Sequence, residues 1–372
     1  MAPVGGAFRA LHAHELGSPV LRALLQRAAL STEAVDAVVI GNALGAGGNP
    51  ARMLALAAGL PDRCAALSID TQCCSGLDAI AMAAGMLASG QASVVIAGGV
   101  EAWSRAPIRQ IRPQHAGDAP VAYERPAFAP DPARDPDLLE SAADYAAQQG
   151  WTRLQQDSYA VASHRRALEN QVFLGAEIVS IMGQQHDAYP RILTPQRAAR
   201  MPLALPQRGS TDCAPSTLAI STRADGAALV LLATAQACSE LGLMPRAAWL
   251  ASASVGADPV TPLLAAQVAA HTAMQRAGLH RATDLQAIEL HDAFAVQGLG
   301  FCQALGLQPC DINRRGGGLA RGHPIGASGA IALVRLLADL QRDKAPGARG
   351  LAAVAGAGGI GSAVIVERME SR

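Results

Sequence analysis

The sequence is short of charge. Asp, Glu, Lys and Arg make up 16% of its 372 residues, against about 25% in an average soluble domain. Much of the chain must therefore be buried. Thirty basic residues balance thirty acidic ones, and no block of like charge occurs, so nothing favours nucleic acid or an anionic membrane as the main partner. Lysine is nearly missing: Lys344 is the only one, a bias of composition more than a functional signal. No run reaches the ~18 apolar residues a membrane span needs, and the opening "MAPVGGAFRALHAHELGS" has no apolar core of a secretion signal. The expected compartment is the cytoplasm. The seven cysteines include no C-x-x-C pair, which removes the usual structural zinc pattern and leaves them as small buried hydrophobes or, rarely, catalytic groups.

A chain of this length suggests two core units. Strand-like runs ("AVDAVVIGNAL", "ASVVIAGGVEA", "LQAIELHDAF", "GLAAVAGAGG", "SAVIVER") alternate with helical ones ("SPVLRALLQRAAL", "PLLAAQVAAHTAMQRAG"), which predicts an α/β architecture with largely parallel strands. Two helical runs, 78–90 and 329–340, are apolar nearly all round. A helix without a polar face must be covered on every side, and two sheets sandwiching both helices would do so. Each helix follows a small-residue turn ("CCSG", "GASG") and precedes a strand ending in glycines. The chain thus reads as two pseudo-repeated halves, 1–235 and 240–372. Residues from 104 to about 210 break the repeat and are richer in Pro, Arg and Asp, which predicts an inserted loop domain able to cover a substrate site.

Cys73 and Cys74 stand at the start of the first apolar helix. Unpaired N–H groups and the helix dipole there favour an anion and would lower a thiol pKa. His323 lies in "RGHPIGASG", at the equivalent place in the second half, so the pseudo-twofold could bring it to the cysteines as a proton acceptor for covalent acyl transfer. His291 and Asp292 end a strand, where active-site groups of α/β folds collect. "AGAGGIG" (355–361) offers backbone N–H groups suited to an oxyanion, a phosphate nest or tight packing.

Taken together, "QCCSGLDAI", "GGVEAWSRAP", "RLQQDSYAVASHRRAL", "HDAFA", "GGGLARGHPIGASGA" and "GGIGSA" give the chain a resemblance to the thiolases that runs over almost all of it. The resemblance implies a five-layer αβαβα fold and acyl-CoA C-acyltransferase chemistry by a ping-pong route. It assigns Cys73 as the acylated nucleophile and Cys74 to packing. His323 is implied as general base and His291 as its neighbour in an oxyanion site, with backbone N–H groups around Ala357 and Gly358 forming a second such site. CoA thioesters are the implied ligands, with no cofactor and no metal, and a homodimer or homotetramer is the implied assembly.

The chain departs from the family pattern in ways that bear on the chemistry. The family's second cysteine, the base that makes an enolate, is replaced by Ala355, and its other known location is Ala293. Cys302 and Cys310 are near in sequence, but nothing places either in the crevice. The family's first strand is expected to be absent, leaving a gap of unpaired backbone within a sheet. Two alternatives to ordinary thiolase chemistry follow: a decarboxylating ketoacyl synthase-like condensation, simple acyl transfer or hydrolysis using Cys73, His323 and His291; or a non-catalytic partner subunit.

Overall fold

Runs of Val, Ile and Ala that end at glycine fold as short buried strands, and the alanine-rich stretches between them as helices. The computed structural model describes residues 1–208 and 212–370. Positions 209 and 210 of the expected insertion, and 371–372 of the expected second half, lie outside the described residues.

The first part of the chain runs β1 (Ala2–Pro3), α1 (Ala13–Arg27), β2 (Ala37–Gly41), α2 (Pro50–Ala58), β3 (Ala65–Ile69), α3 (Ser75–Ala88) and β4 (Val94–Glu101). The inserted region holds the hairpin β5 (Arg109–Ile111) and β6 (Val121–Tyr123) and the helices α4 (Leu138–Gln149), α5 (Arg153–Glu169), α6 (Gln171–Gly175) and α7 (Pro195–Ala199). There follow β7 (Ala224–Ala233), α8 (Ala235–Leu241), β8 (Ala247–Gly256), α9 (Ala265–Arg276) and β9 (Ala287–His291). The chain ends with α10 (Ala295–Leu305), α11 (Gly318–Arg321), α12 (Ser328–Asp343), β10 (Arg349–Gly356) and β11 (Ile360–Arg368).

Among the described residues one sheet has the order β1-β7-β4-β2-β3 and the other β8-β11-β10-β9. The two share a plan. In each, a parallel pair (β2 with β4, β9 with β10) is followed by an antiparallel strand (β7, β11) and then by a second antiparallel strand (β1, β8). Helices α3 and α12 lie between the sheets, sharing a core with Val39, Val95, Val354 and Val364. Residues of α1 and α2 join the core on the outer face of the first sheet, and residues of α9 and α10 join that of the second. This is the five-layer αβαβα arrangement.

Three expectations need correction. The gap expected inside a sheet is not there: the two residues of β1 pair with β7 at the sheet edge, and among the described residues the sheet is unbroken. The α3 helix is not covered on every side, since Met82 is 45% exposed. Nor is α12 apolar in its buried part. Arg335 and Asp339 are each 3% exposed, and Arg335 is paired with both Asp339 and Glu177 of the insertion. Buried ions of this kind persist only with such partners.

Candidate active site

The two small-residue turns meet because glycine lets backbones touch. Gly99 of β4 lies so close to the 323–328 turn that a Cβ would stand 2.0 Å from the Gly326 carbonyl. A Cβ on Gly76, in the first turn of α3, would stand 2.7 Å from the same oxygen. Gly322, at φ +104°, lets the chain reverse into His323. The His323 N–H then donates to Thr222 O at 2.7 Å, tying the turn to the residues entering β7.

The result brings residues 250 positions apart into contact: Cys73 Sγ lies 3.3 Å from His323 Nε2. The tautomer follows from the partner on the other ring nitrogen. His323 Nδ1 is 2.7 Å from Ser328 Oγ, and that hydroxyl donates to Pro324 O at 2.9 Å. Ser328 therefore accepts from Nδ1–H, and Nε2 offers its lone pair to the thiol.

Burial sets the charge state. It pushes the Cys73 thiol up to about 12, opposed by hydrogen bonds from the N–H groups of Ala357 and of Cys73 itself. It pushes His323 down to about 4. The resting pair is a neutral thiol and a neutral imidazole. The lowered thiol pKa expected at the helix start is thus overturned, because desolvation of the thiolate outweighs the N–H donors gathered there. Those donors still point at the place where negative charge develops.

His291, at the end of β9, stacks on His323 with ring centroids 4.4 Å apart and planes 26° from parallel. It is held neutral by burial and by the neighbouring His323 and Arg321. Its Nε2 is buried without a hydrogen-bond partner. A buried polar atom left open in this way is suited to a substrate oxygen or a water. The next residue, Asp292, accepts hydrogen bonds from Tyr159 of the insertion, at 3.0 Å, and from the Gly318 N–H. It thereby fixes the loop against which the His291 ring rests, where a Cβ on Gly318 would come within 2.7 Å of that ring.

The other expected residues are placed as follows. The Ala357 N–H favours negative charge on the sulfur, whereas Gly358 lies against the Phe128 carbonyl of the insertion. Cys74 is fully buried, its sulfur 3.7 Å from Val354 O. Cys302, on α10, is buried in the core and Cys310 is exposed. Ala355 occupies β10 opposite Gly361. Sequence reasoning missed Glu101, at the end of β4. It is 1% exposed and accepts hydrogen bonds from Asn42 Nδ2, at 2.9 Å, and from the N–H groups of Ala43, Leu44 and Gly326, at 3.0, 3.3 and 3.0 Å. A carboxylate ending an eight-residue apolar strand was the available signal. Glu101 positions the turn that carries His323.

Among the described residues, no group of three or more His, Cys, Asp or Glu side chains is placed to hold a metal, and no helix is long and apolar enough to cross a membrane.

A five-layer fold with a thiol and an imidazole meeting between its two central helix starts defines a covalent acyl-transfer enzyme. Comparison with known proteins gives the family. The thiolase N-terminal domain model matches residues 1–236 and the thiolase C-terminal domain model matches residues 243–368. An acetyl-CoA acetyltransferase of Allochromatium vinosum is 35% identical, over 98% of this chain and 95% of its own. A putative acetyl-CoA C-acetyltransferase of Bacillus subtilis is 34% identical, over 95% and 92%. The crystal structure of the Acat5 thiolase from Ascaris suum in complex with coenzyme A superposes with a TM-score of 0.89 at 29% identity, covering 99% of this chain and 97% of that one. The chain belongs to the thiolase family. It is an acyltransferase of the acyl-CoA C-acyltransferase class.

Proposed function

We propose that Cys73 takes the acyl group from a CoA thioester and that His323 moves the proton, a reading carried by the 3.3 Å contact between Cys73 Sγ and His323 Nε2. The thiol proton passes to Nε2 as sulfur attacks the thioester carbonyl. The negative charge on the carbonyl oxygen develops where the Ala357 and Cys73 N–H groups converge. Collapse expels the CoA thiolate, which takes a proton back from His323. In the second half-reaction a carbanion equivalent of another acyl-CoA attacks the acyl-Cys73 carbonyl, and the open Nε2 of His291 faces that thioester's oxygen.

The charge states give a pH profile for acylation. His323 is depressed to about 4, so its basic form is fully present at neutral pH and is lost as pH falls through that value. On the alkaline side the thiol stays protonated to about 12. Intact-mass measurement of acetyl-Cys73 formation from acetyl-CoA should therefore give a rate nearly flat from pH 6 to 9. A rate that instead climbs tenfold per pH unit through 8 would mean that free thiolate attacks and that His323 is not the base.

A second reading is favoured by Ala355. Its methyl group cannot accept the α-proton of an acyl-CoA, whereas loss of CO2 from a malonyl-type thioester creates the carbanion without a base. Decarboxylating condensation needs only the Cys-His-His set.

We further propose a homodimer built on the β3 edge, with a dimer of dimers as its extension. Among the described residues β3 pairs with β2 alone. Around it Met53, Leu56, Leu67 and Met82 are exposed to 45%, 45%, 37% and 45%. An apolar, unpaired edge of this kind calls for a partner. Sedimentation should return twice the chain mass or more, and Leu67→Lys should shift it toward the single-chain value. An unchanged mass would place the interface elsewhere.

The cytoplasm remains the expected compartment, and CoA and its thioesters the expected partners, with nucleic acid and membrane outside the reading.

A further inference from the structure

Side chains alternate across β9. Ile288 and Leu290 join the core on the outer face of the second sheet and Ala287 joins the core between the sheets, so Glu289 and His291 face inward. Glu289 is 1% exposed. A carboxylate buried there is costly unless an opposite charge meets it. The partner is Arg321, the last residue of α11 and itself 3% exposed, whose Nη2 donates to Glu289 Oε2 at 3.3 Å. Among the described residues this is the only hydrogen bond that the Glu289 carboxylate makes, since its Oε1 is buried without a partner.

The pair joins the two segments that carry the stacked imidazoles. Glu289 stands two residues before His291, and Arg321 two residues before His323. The guanidinium is held from both sides, because its Nε also donates to Gly317 O at 3.3 Å, at the start of α11. With the Gly318 N–H donating to Asp292, α11 is fastened on both sides of His291, once through Glu289 and once through Asp292. Arg321 is also one of the charges that hold His291 neutral. No step of Cys73 acylation passes through the pair. The contact between Cys73 and His323 has its own supports, in Ser328 Oγ, Thr222 O and the Glu101 carboxylate that receives the Gly326 N–H.

We propose that Glu289 and Arg321 are positioning residues for the second half-reaction: their buried pair sets where the His291 ring lies against His323, and so where its open Nε2 meets the oxygen of the incoming thioester. The inference rests on the role given to His291 under Proposed function. The two half-reactions thereby depend on different supports, the first on the turn that carries His323 and the second on the tie between α11 and β9. A group misplaced by about 1 Å loses on the order of 10²-fold in rate, so the tie matters to turnover without touching the substrate.

The test removes the tie without stranding a charge. Replacing both members of a buried ion pair with apolar residues is often neutral or stabilising, so the double variant Glu289→Leu with Arg321→Leu should melt no lower than the wild type. Its Cys73 should be acetylated by acetyl-CoA within about threefold of the wild-type rate, while consumption of the acetyl-enzyme by malonyl-CoA should fall about 10²-fold. Glu289→Gln keeps an acceptor oxygen for Arg321, and burial already raises the Glu289 carboxyl against the pull of that guanidinium; this conservative variant should restore consumption to near the wild-type rate. Equal losses in both half-reactions, or none in either, would overturn the proposal. Nitrogen NMR of isotope-labelled histidine reads the ring without turnover. The His291 signals, identified by their loss in His291→Asn, should move in the double variant and stay in place in Glu289→Gln. Unmoved signals in the double variant would sink the inference. If neither malonyl-CoA nor acetyl-CoA consumes the wild-type acetyl-enzyme, the reading of the second half-reaction fails, and the spectra alone decide what the pair does.

Discussion

Cys73→Ala removes the acyl-enzyme and lowers turnover by at least about 10⁴-fold, because no other group near the site can form the thioester. The geometry behind this outcome is specific to one of two adjacent thiols. Cys73 faces His323 Nε2 at 3.3 Å, whereas Cys74 faces backbone carbonyls, Val354 O at 3.7 Å and Ile360 O at 3.8 Å. A thiol aimed at carbonyl oxygens has no base to receive its proton. Burial beside Asp78 and Cys73 pushes it further from ionising. Intact-mass analysis after incubation with acetyl-CoA should thus show one acetyl group on the wild-type chain, none on Cys73→Ala, and one on Cys74→Ala. The last variant should cost only ~1 kcal/mol of stability through a small lost packing volume. An acetyl adduct persisting in Cys73→Ala, mapped to Cys74 by peptide analysis, would reverse the assignment.

What the sequence disclosed about this site, and what it hid, follows from how far apart the interacting residues lie. The meeting of Cys73 and His323 was legible because each stands at the start of a small-residue turn and an apolar helix, and the repetition of that plan implied a pseudo-twofold relation. The fold class was legible for the same reason: two sheets enclosing the two apolar helices follow from two copies of one unit. Glu101 was not legible, since its hydrogen-bond donors come from residues 42–44 on one side and from Gly326 on the other. Nothing local distinguishes it from a strand-terminating surface carboxylate. The buried charges of α12 were hidden because Glu177, which pairs with Arg335, belongs to the insertion. The direction of the Cys73 pKa was misread for a different reason. A helix start is visible in sequence, but the burial that outweighs it comes from packing with residues far along the chain, His323 among them. The place of the first strand was misjudged because its order in the sheet is a property of topology, and no pattern along the chain records it.

The site's chemistry after acylation turns on Ala355. Forming a carbon–carbon bond from two acetyl-CoA molecules requires removing a proton from a thioester methyl group, a weak acid, and a positioned base contributes about 10² to 10⁴-fold to such a step. The groups nearest the acyl sulfur are poorly suited to supply it. His323 carries the proton taken from Cys73 until CoA leaves and then faces the incoming thioester's oxygen. His291 is held neutral, but its open Nε2 is placed for the same oxygen. Cys302 is buried on α10, packed in the core on the outer face of the second sheet. Ala355, in contrast, lies on β10 two residues before Ala357, whose N–H opposes the burial of the Cys73 thiol, and it holds the position where the thiolase resemblance expects the second cysteine. Ala355→Cys should therefore raise condensation of two acetyl-CoA molecules by about 10² to 10⁴-fold while leaving the rate of Cys73 acetylation within about twofold, because the new thiol acts only in the second half-reaction. In the unsubstituted protein, a malonyl-type thioester should outpace acetyl-CoA as the attacking partner, since decarboxylation supplies the electron pair that Ala355 cannot help create. Measuring both substrates with both forms separates the steps. If acetyl-CoA condensation is already fast and Ala355→Cys does not change it, a base outside the β10 position is at work, and the decarboxylating reading falls with it.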